Sequence, residues 1–403
     1  MKITDVRTTL LTGPCTNDPF LHEARKLRSA AFIEIFTDNG TIGIGETYAG
    51  YFCPEVVPSI VEFFKPILIG QTVDDIPELW RRMYHCGNFW CRVGLGTIVL
   101  NGIEAALWDL KGKLLGQPVH ALLGEAKHER LPCYATGGPS NYPKDRLAKK
   151  IDHYFSLGFR GLKVGAGSLS PDGWYMPKEA KEAADFEADK FSFMRSYAGA
   201  DAWLMLDAHM GNNHIATWSV DVAIAVARAL EPFNPFFLEE PLHYTDPWGY
   251  GELCKATTTP IAGGECLTAA YEWRVFVEQD GFDIGQPDAS FTGGLSEFLN
   301  VANMMEKRGR KIATHAWGAG GSLMQNIHAG FAAANTCILE IPPDYAGLHS
   351  DVIDGGFKMK DGYATPPDRP GLGIVLTDEI KSRYPFKPGS GEFNSVPGKI
   401  LKD

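Results

Sequence analysis

Six polar residues in the second half of the chain recur at one spacing, and each closes or follows a short strand-like run. Asp207 ends Trp203-Leu-Met-Leu-Asp207, Glu239 ends Phe236-Phe-Leu-Glu239 and Glu265 ends Pro260-Ile-Ala-Gly-Gly-Glu265. Asp288 ends Phe282-Asp-Ile-Gly-Gln-Pro-Asp288, His315 follows Lys311-Ile-Ala-Thr, and Glu340 lies in Cys337-Ile-Leu-Glu-Ile-Pro342. The steps are 32, 26, 23, 27 and 25 residues, the length of one strand, one helix and two loops. Lys163, in Gly161-Leu-Lys-Val-Gly165, precedes the series in the same kind of run. A parallel (β/α)₈ barrel gathers the C-terminal ends of its strands on one face. The spacing therefore predicts a TIM-type barrel whose mouth collects acids, a histidine and a lysine. Strand candidates start near Pro132, Gly161, Trp203, Phe236, Pro260, Phe282, Lys311 and Cys337.

Upstream of the barrel the pattern differs. Ala30-Ala-Phe-Ile-Glu-Ile-Phe-Thr37, Asp38-Asn-Gly40 and Thr41-Ile-Gly-Ile-Gly-Glu46 read as a hairpin. Helical periodicity follows from about Pro54 to Leu123, clearest in Asn101–Lys113. Strands followed by helices, without alternation, indicate an α+β domain. Gly355 to Asp403 is rich in Gly and Pro and is expected to return to that domain. The expected organisation is an α+β capping domain over 1–125, a barrel over 126–354 and a C-terminal return over 355–403. Thr12–Leu27 and Tyr48–Pro54 read as loops beside the site. Ser168–Glu179 reads as a long loop over the barrel mouth, either a surface insertion or a partial lid.

The net charge of -11 argues against nucleic acid and anionic membrane as partners. No apolar stretch reaches the roughly 18 residues of a membrane span, and Met1–Arg7 lacks a signal peptide's apolar region. The eight Cys form no C-x-x-C pair and read as reduced thiols, so a cytoplasmic protein is expected.

Asp207, Glu239 and Glu265 would end consecutive strands. Three converging carboxylates repel one another unless a counter-charge joins them. All-oxygen ligation points to Mg²⁺, or Mn²⁺, as that charge. Strand alternation would place Asp207 and His209 on one face, and would let only one of Glu239 and Glu240 point inward. Asp288 beside His315 would orient the imidazole as a base. Lys163 would stand across the barrel, and a neighbouring cation would lower its pKa and suit it to a base.

These residues resemble the enolase superfamily, mandelate racemase subgroup. The resemblance is carried by Asn101–Lys113 with Leu122-Leu-Gly124, Glu239-Glu-Pro241, Gly264-Glu265, Gln286-Pro-Asp288 with Thr292-Gly-Gly294, His315, and Pro370-Gly-Leu-Gly-Ile374. It implies a modified, enolase-like barrel, Mg²⁺ on Asp207, Glu239 and Glu265, an Asp288–His315 base, and a homo-oligomer. Two positions depart from the pattern. The first lysine of the family's Lys-x-Lys motif is Gly161, and Asp-x-Asn is here Asp207-Ala-His209. Some sugar-acid dehydratases similar to this group carry Asp-x-His and use that His as an acid. The expected activity is Mg²⁺-dependent dehydration of a sugar acid, a small-molecule carboxylate, through α-proton abstraction. The alternatives are a racemase, epimerase or cycloisomerase using Lys163 and His315, and a non-catalytic binder. Glu340, Trp317 and Tyr48 are the expected substrate contacts.

Overall fold

The computed structural model describes residues 1–21, 26–138, 140, 143–170, 173–212, 218–355 and 357–389. Strands β1 (Ile3–Pro14), β2 (Leu27–Thr37) and β3 (Ile42–Thr47) form an antiparallel sheet in that order. Asp38–Gly40 closes the hairpin between β2 and β3, with Gly40 at φ 83°, where a side chain would be strained. Thr12 pairs with Ser29 and Pro14 with Leu27. The expected Thr12–Leu27 loop is thus shorter at its start, because strand pairing continues past the polar residues; 22–25 lie outside the described residues. Tyr48–Pro54 likewise contains a short helix, Ala49–Phe52.

The helix Leu95–Leu115 lies across this sheet and buries most of its length. Its approach is set by glycines. A Cβ at Gly43 would stand 2.2 Å from the Ala106 carbonyl oxygen, and one at Gly45 2.3 Å from that of Gly102. The obstacle is backbone, which cannot rotate away as a side chain would. Gly45→Ala is therefore expected to destabilise the fold by about 1–3 kcal/mol, read as a lower thermal midpoint. Asp109 ties three segments together. It accepts from Ile44 N and Leu372 N, each at 2.7 Å, and pairs with Lys113 at 2.6 Å.

Eight parallel strands follow: Leu131–Thr136, Gly161–Gly165, Trp203–Asp207, Phe237–Glu239, Ile261–Gly263, Ile284–Gly285, Lys311–Ala313 and Thr336–Ile341. Each pairs with the next, and the eighth pairs with the first through Leu339–Cys133 and Glu340–Tyr134, closing the barrel. A main barrel helix follows each of the first seven strands, from Lys144–Ser156 to Gly320–Ala332. Among the described residues the short Leu348–Asp351 helix comes next after the eighth, and the chain then leaves the barrel. This is the modification of the regular (β/α)₈ pattern.

The alternation of the strands builds the interior in layers. Met205, Phe237, Ile284, Ala313 and Ile338 fill an apolar layer. Two residues further along each strand stand Asp207, Glu239, Gln286, His315 and Glu340. The same period that buries the lower layer thus lifts the polar residues to the mouth.

The C-terminal segment first adds a hairpin to the barrel's N-terminal end, Tyr363 pairing with Pro132. It then crosses to the capping sheet. Leu372 N reaches Asp109, Lys381 pairs with Glu34 at 2.7 Å, and Lys387 N donates to Thr12 Oγ1. All eight cysteines are free thiols. No helix among the described residues is long and apolar enough to cross a membrane.

Candidate active site

Lys163 rises from the second barrel strand into a knot of carboxylates. Its ammonium lies 2.5 Å from Glu239, 3.1 Å from Glu340 and 3.5 Å from Asp207, above the ring of Tyr134. The other Glu239 oxygen accepts from Gln286 Nε2 at 2.7 Å. Burial pulls the lysine pKa down, but Glu239, Glu340, Tyr134 and Asp207 outweigh it and hold the group well above its ordinary value. The expected lowering concerns a lysine beside a bound cation, whereas here Lys163 itself neutralises these carboxylates. No side chain reaches it from Gly161. A Cβ there would stand 2.8 Å from Trp203 Cβ and 2.9 Å from Trp203 O, so the space of the missing lysine is filled.

Glu265 turns the other way. Its Oε1 is 4.0 Å from His209 Nε2 and its Oε2 is 3.4 Å from His315 Nε2. Glu240 joins it. One donor atom each from His209, Glu240 and Glu265 lie within 4.8 Å of one another, the grouping of metal-ligating type found among the described residues. Two expectations from alternation fail at this point. The third and fourth strands end at Asp207 and Glu239, and the backbone then turns, with His209 at φ 51° and Glu240 at φ 43°. Asp207 and His209 therefore diverge, the first towards Lys163 and the second towards Glu265. Glu239 and Glu240 are both buried at the mouth. Glu240 accepts from Gly211 N and from the Tyr244 hydroxyl, and burial with Glu265 nearby pushes its pKa up to about 8.

Asp288 and His315 meet as expected, Oδ2 to Nδ1 at 2.7 Å. The second Asp288 oxygen accepts from Ser290 N and Oγ, each at 2.6 Å, and from Asn326 Nδ2 at 2.8 Å. Burial lowers the His315 pKa, but Glu265, the Asp288 hydrogen bond and Glu340 raise it to about 10. Glu265 is the largest of the raising influences and is also an expected metal ligand, so a cation bound there would offset it and leave Nε2 free to accept a proton. His209, by contrast, is 55% exposed, which leaves its ring open to a bound molecule.

The expected substrate contacts are spread along the wall beside His315. The Tyr48 ring is 5.8 Å from the imidazole and 5.4 Å from Phe291. Trp317 donates Nε1–H to the Tyr51 hydroxyl at 3.0 Å. Glu340 is internal to the site: it pairs with Lys163 and accepts from Ala316 N at 3.0 Å. Arg28 was not singled out from the sequence. It is buried, stacks 4.3 Å from the Trp317 ring and donates to Trp317 O. Nothing local in β2 distinguishes it from a strand residue with an exposed head. The Ser168–Glu179 segment contains paired strands, Ser168–Ser170 and Gly173–Tyr175, and Pro177 O accepts from Trp218 Nε1 beyond the third strand; 171–172 lie outside the described residues.

Comparison with known families gives two matches. Residues 11–124 match the N-terminal domain of the mandelate racemase/muconate lactonizing enzymes, and residues 146–380 match the enolase C-terminal domain-like family. The chain belongs to the enolase superfamily, in its mandelate racemase subgroup. It is 30% identical over 359 residues to the arabinonate dehydratase of Saccharolobus solfataricus, covering 88% of this chain and 90% of that one. The 3,6-anhydro-D-galactonate cycloisomerase of Zobellia galactanivorans superposes with a TM-score of 0.80 at 28% identity, over 95% of this chain and 99% of the other. A racemase from Streptomyces coelicolor with bound magnesium matches equally well, with a TM-score of 0.80, 28% identity and the same coverage. The subgroup thus spans elimination and isomerisation on one barrel, and the side chains at the mouth decide between them.

Proposed function

We propose that this enzyme is a hydro-lyase that removes water from a sugar acid, an aldonate or aldarate, by the action of His315, His209 and Lys163. The observation that carries the reading is the Asp288–His315 pair at 2.7 Å, facing Glu265 and 5.8 Å from the Tyr48 ring. Its relatives include the arabinonate dehydratase and the cycloisomerase.

A proton α to a carboxylate is too weakly acidic for a side-chain base unless the enediolate is stabilised, and superfamily sites pair a Lys or His base with Mg²⁺ for this purpose. The residues fit a cation of that kind. Asp207 and Glu239 already converge on one positive charge, the Lys163 ammonium, and Glu265, though its oxygens face His209 and His315, is near enough for its charge to raise the Glu239 pKa. Asp207, Glu239 and Glu265 would hold Mg²⁺, or Mn²⁺. When bound, that ion supplies positive charge to the substrate carboxylate and to the enediolate.

The rest falls to the chain's own groups. Neutral His315 Nε2 takes the α-proton, and the C–H electrons move into the enediolate. Asp288 stabilises the imidazolium that results. The enediolate electrons then expel the 3-hydroxyl, which leaves as water with a proton from His209, or with help from Lys163. The enol left behind takes a proton and becomes a 2-keto-3-deoxy acid. The Tyr48 ring lies between the His315 imidazole and Phe291 and lines that side of the base.

A racemase, epimerase or cycloisomerase with two opposed bases would need a neutral Lys163. Lys163 is paired with three carboxylates and lacks the supporting lysine at Gly161, which favours the acid or electrostatic role. Incubation with Mg²⁺ and a library of sugar acids in D₂O tests the assignment. A keto acid product with deuterium at the former 3-carbon is expected. α-Deuteration without elimination would show an isomerase instead, and neither outcome with any acid would sink the reading.

A further inference from the structure

Glu46 stands one residue before the end of β3 in the capping sheet, yet its carboxylate is buried against a barrel helix. Oε1 accepts from Ala319 N and Oε2 from Ser322 N, both at 2.8 Å, at the start of the helix Gly320–Ala332. Ala319 offers no side chain for that helix end, so a residue of another domain caps it. The fit requires glycine. A Cβ on Gly321 would stand 2.8 Å from Glu46 Oε2, and one on Gly318 3.2 Å from Oε1. The segment clamped in this way, Ala316–Ala319, joins His315 to the helix.

The same helix end reaches Asp288. The Ser322 hydroxyl is 2.6 Å from that of Ser290, and the Ser290 hydroxyl donates to Asp288 Oδ1 at 2.6 Å. Since the Ser290 proton is used on the carboxylate, Ser322 donates to Ser290. Gln325 accepts from Glu46 N at 2.8 Å and donates to Ala289 O, while Asn326 donates to Asp288. One helix turn is therefore held by Glu46 on one side and holds Asp288 on the other. Burial, with Asp288 nearby, raises the Glu46 pKa to about 7 even though several backbone amides bond it, so the group sits in the field of the pair it supports.

We propose that Glu46 is a positioning residue for the Asp288–His315 pair: through Ala319, Ser322 and Ser290 the capping domain sets the place of the base. The proposal rests on the reading of His315 as that base. Glu104 provides a matched contrast. It too is a buried capping-domain carboxylate that caps a barrel helix, accepting from Leu295 N at 2.9 Å and Ser296 N at 3.2 Å. Its hydrogen-bond partners are Trp108, Leu295 and Ser296 rather than residues of the Asp288–Ser290 turn.

The test compares Glu46→Gln, Ser322→Ala and Glu104→Gln in the full chain. Glu46→Gln places an amide N–H₂ against a backbone N–H and loses one bond of the cap. Two readouts are used. The first is the downfield imidazole N–H proton resonance of the Asp288–His315 pair, assigned by its absence in His315→Asn. The second is kcat and KM for α-proton exchange. Glu46→Gln is expected to shift or broaden that resonance and to lower kcat about 10–100-fold, as loss of an outer-sphere partner does, with KM unchanged. Ser322→Ala, which keeps the backbone cap, should show the same signature to a smaller degree. Glu104→Gln should lower the melting midpoint and leave both readouts as in wild type. An unmoved resonance in both Glu46→Gln and Ser322→Ala, or a kcat loss no greater than that of Glu104→Gln, overturns the proposal. The resonance needs no substrate, so it decides the matter even if wild type exchanges no sugar acid and the reading of His315 as the base fails.

Discussion

His315→Asn abolishes both elimination and α-proton exchange, an expected loss of at least the roughly 10²–10⁴-fold worth of a general base. Asparagine keeps a polar group near Asp288 but has no nitrogen able to accept the proton. The other two candidate groups should behave differently. His209 acts after the proton has left, so His209→Asn slows elimination while α-deuterium still enters substrate in D₂O. Its exposure at the mouth suits a group that must meet a departing hydroxyl. Lys163→Ala removes the charge that Asp207, Glu239 and Glu340 share. Turnover should fall while exchange at the His315 face remains detectable. Should Lys163→Ala end all exchange and His315→Asn spare it, the abstracted proton lies on the lysine face and the two roles are reversed. Mass-spectrometric counting of deuterium in recovered substrate and product separates these cases.

The sequence carried the barrel because two periods coincide in it. Strand-plus-helix spacing sets the order of Asp207, Glu239, Glu265, Asp288, His315 and Glu340, and the two-residue alternation sets Met205 below Asp207 and Phe237 below Glu239. Both are local, so both can be read without coordinates. What could not be read depends on where that alternation stops. At His209 and Glu240 the backbone takes positive φ, which only a minority of non-glycine residues adopt, and the side chains leave the face their parity assigns. Glu240 was visible in Glu239-Glu-Pro241 but was set aside by a rule that does not extend past the strand end. Long-range docking was equally hidden. Glu46 meets Ser322 and Glu104 meets Ser296 across the two domains, and Arg28 meets Trp317. No spacing within either segment encodes such a contact. Lys163 shows a third limit. Its identity was plain, but its charge state follows from three carboxylates that approach from three other strands.

Glu265→Gln is expected to end turnover and to weaken divalent-cation binding, because Glu265 belongs to both sets of donors at the mouth. One set is Asp207, Glu239 and Glu265, the ligands implied by strand order. The other is His209, Glu240 and Glu265, which lie within 4.8 Å of one another. Removing one charged ligand typically costs far more than the roughly 10–100-fold loss that follows mutation of an outer-sphere partner. Neutralising it also leaves His315 Nε2 without its acidic neighbour at 3.4 Å. The neighbouring variants decide between the sets. If the ion rests on Asp207 and Glu239, then Glu239→Gln lowers affinity as strongly as Glu265→Gln, whereas His209→Asn leaves it near wild type. If it rests on His209 and Glu240, the pattern inverts, and Mn²⁺ bound to the protein shows a nitrogen hyperfine coupling that His209→Asn removes. An oxygen-only set favours Mg²⁺, whereas an imidazole ligand moves preference towards later divalent metals, so ranking activity over Mg²⁺, Mn²⁺ and Co²⁺ gives an independent check. Full turnover of Glu265→Gln, or of the wild-type enzyme in excess EDTA, would refute a metal-dependent reaction at this mouth. With Asp207 and Glu239 already gathered around one positive charge, the expected result is the first pattern, with Lys163 yielding part of its share to the ion.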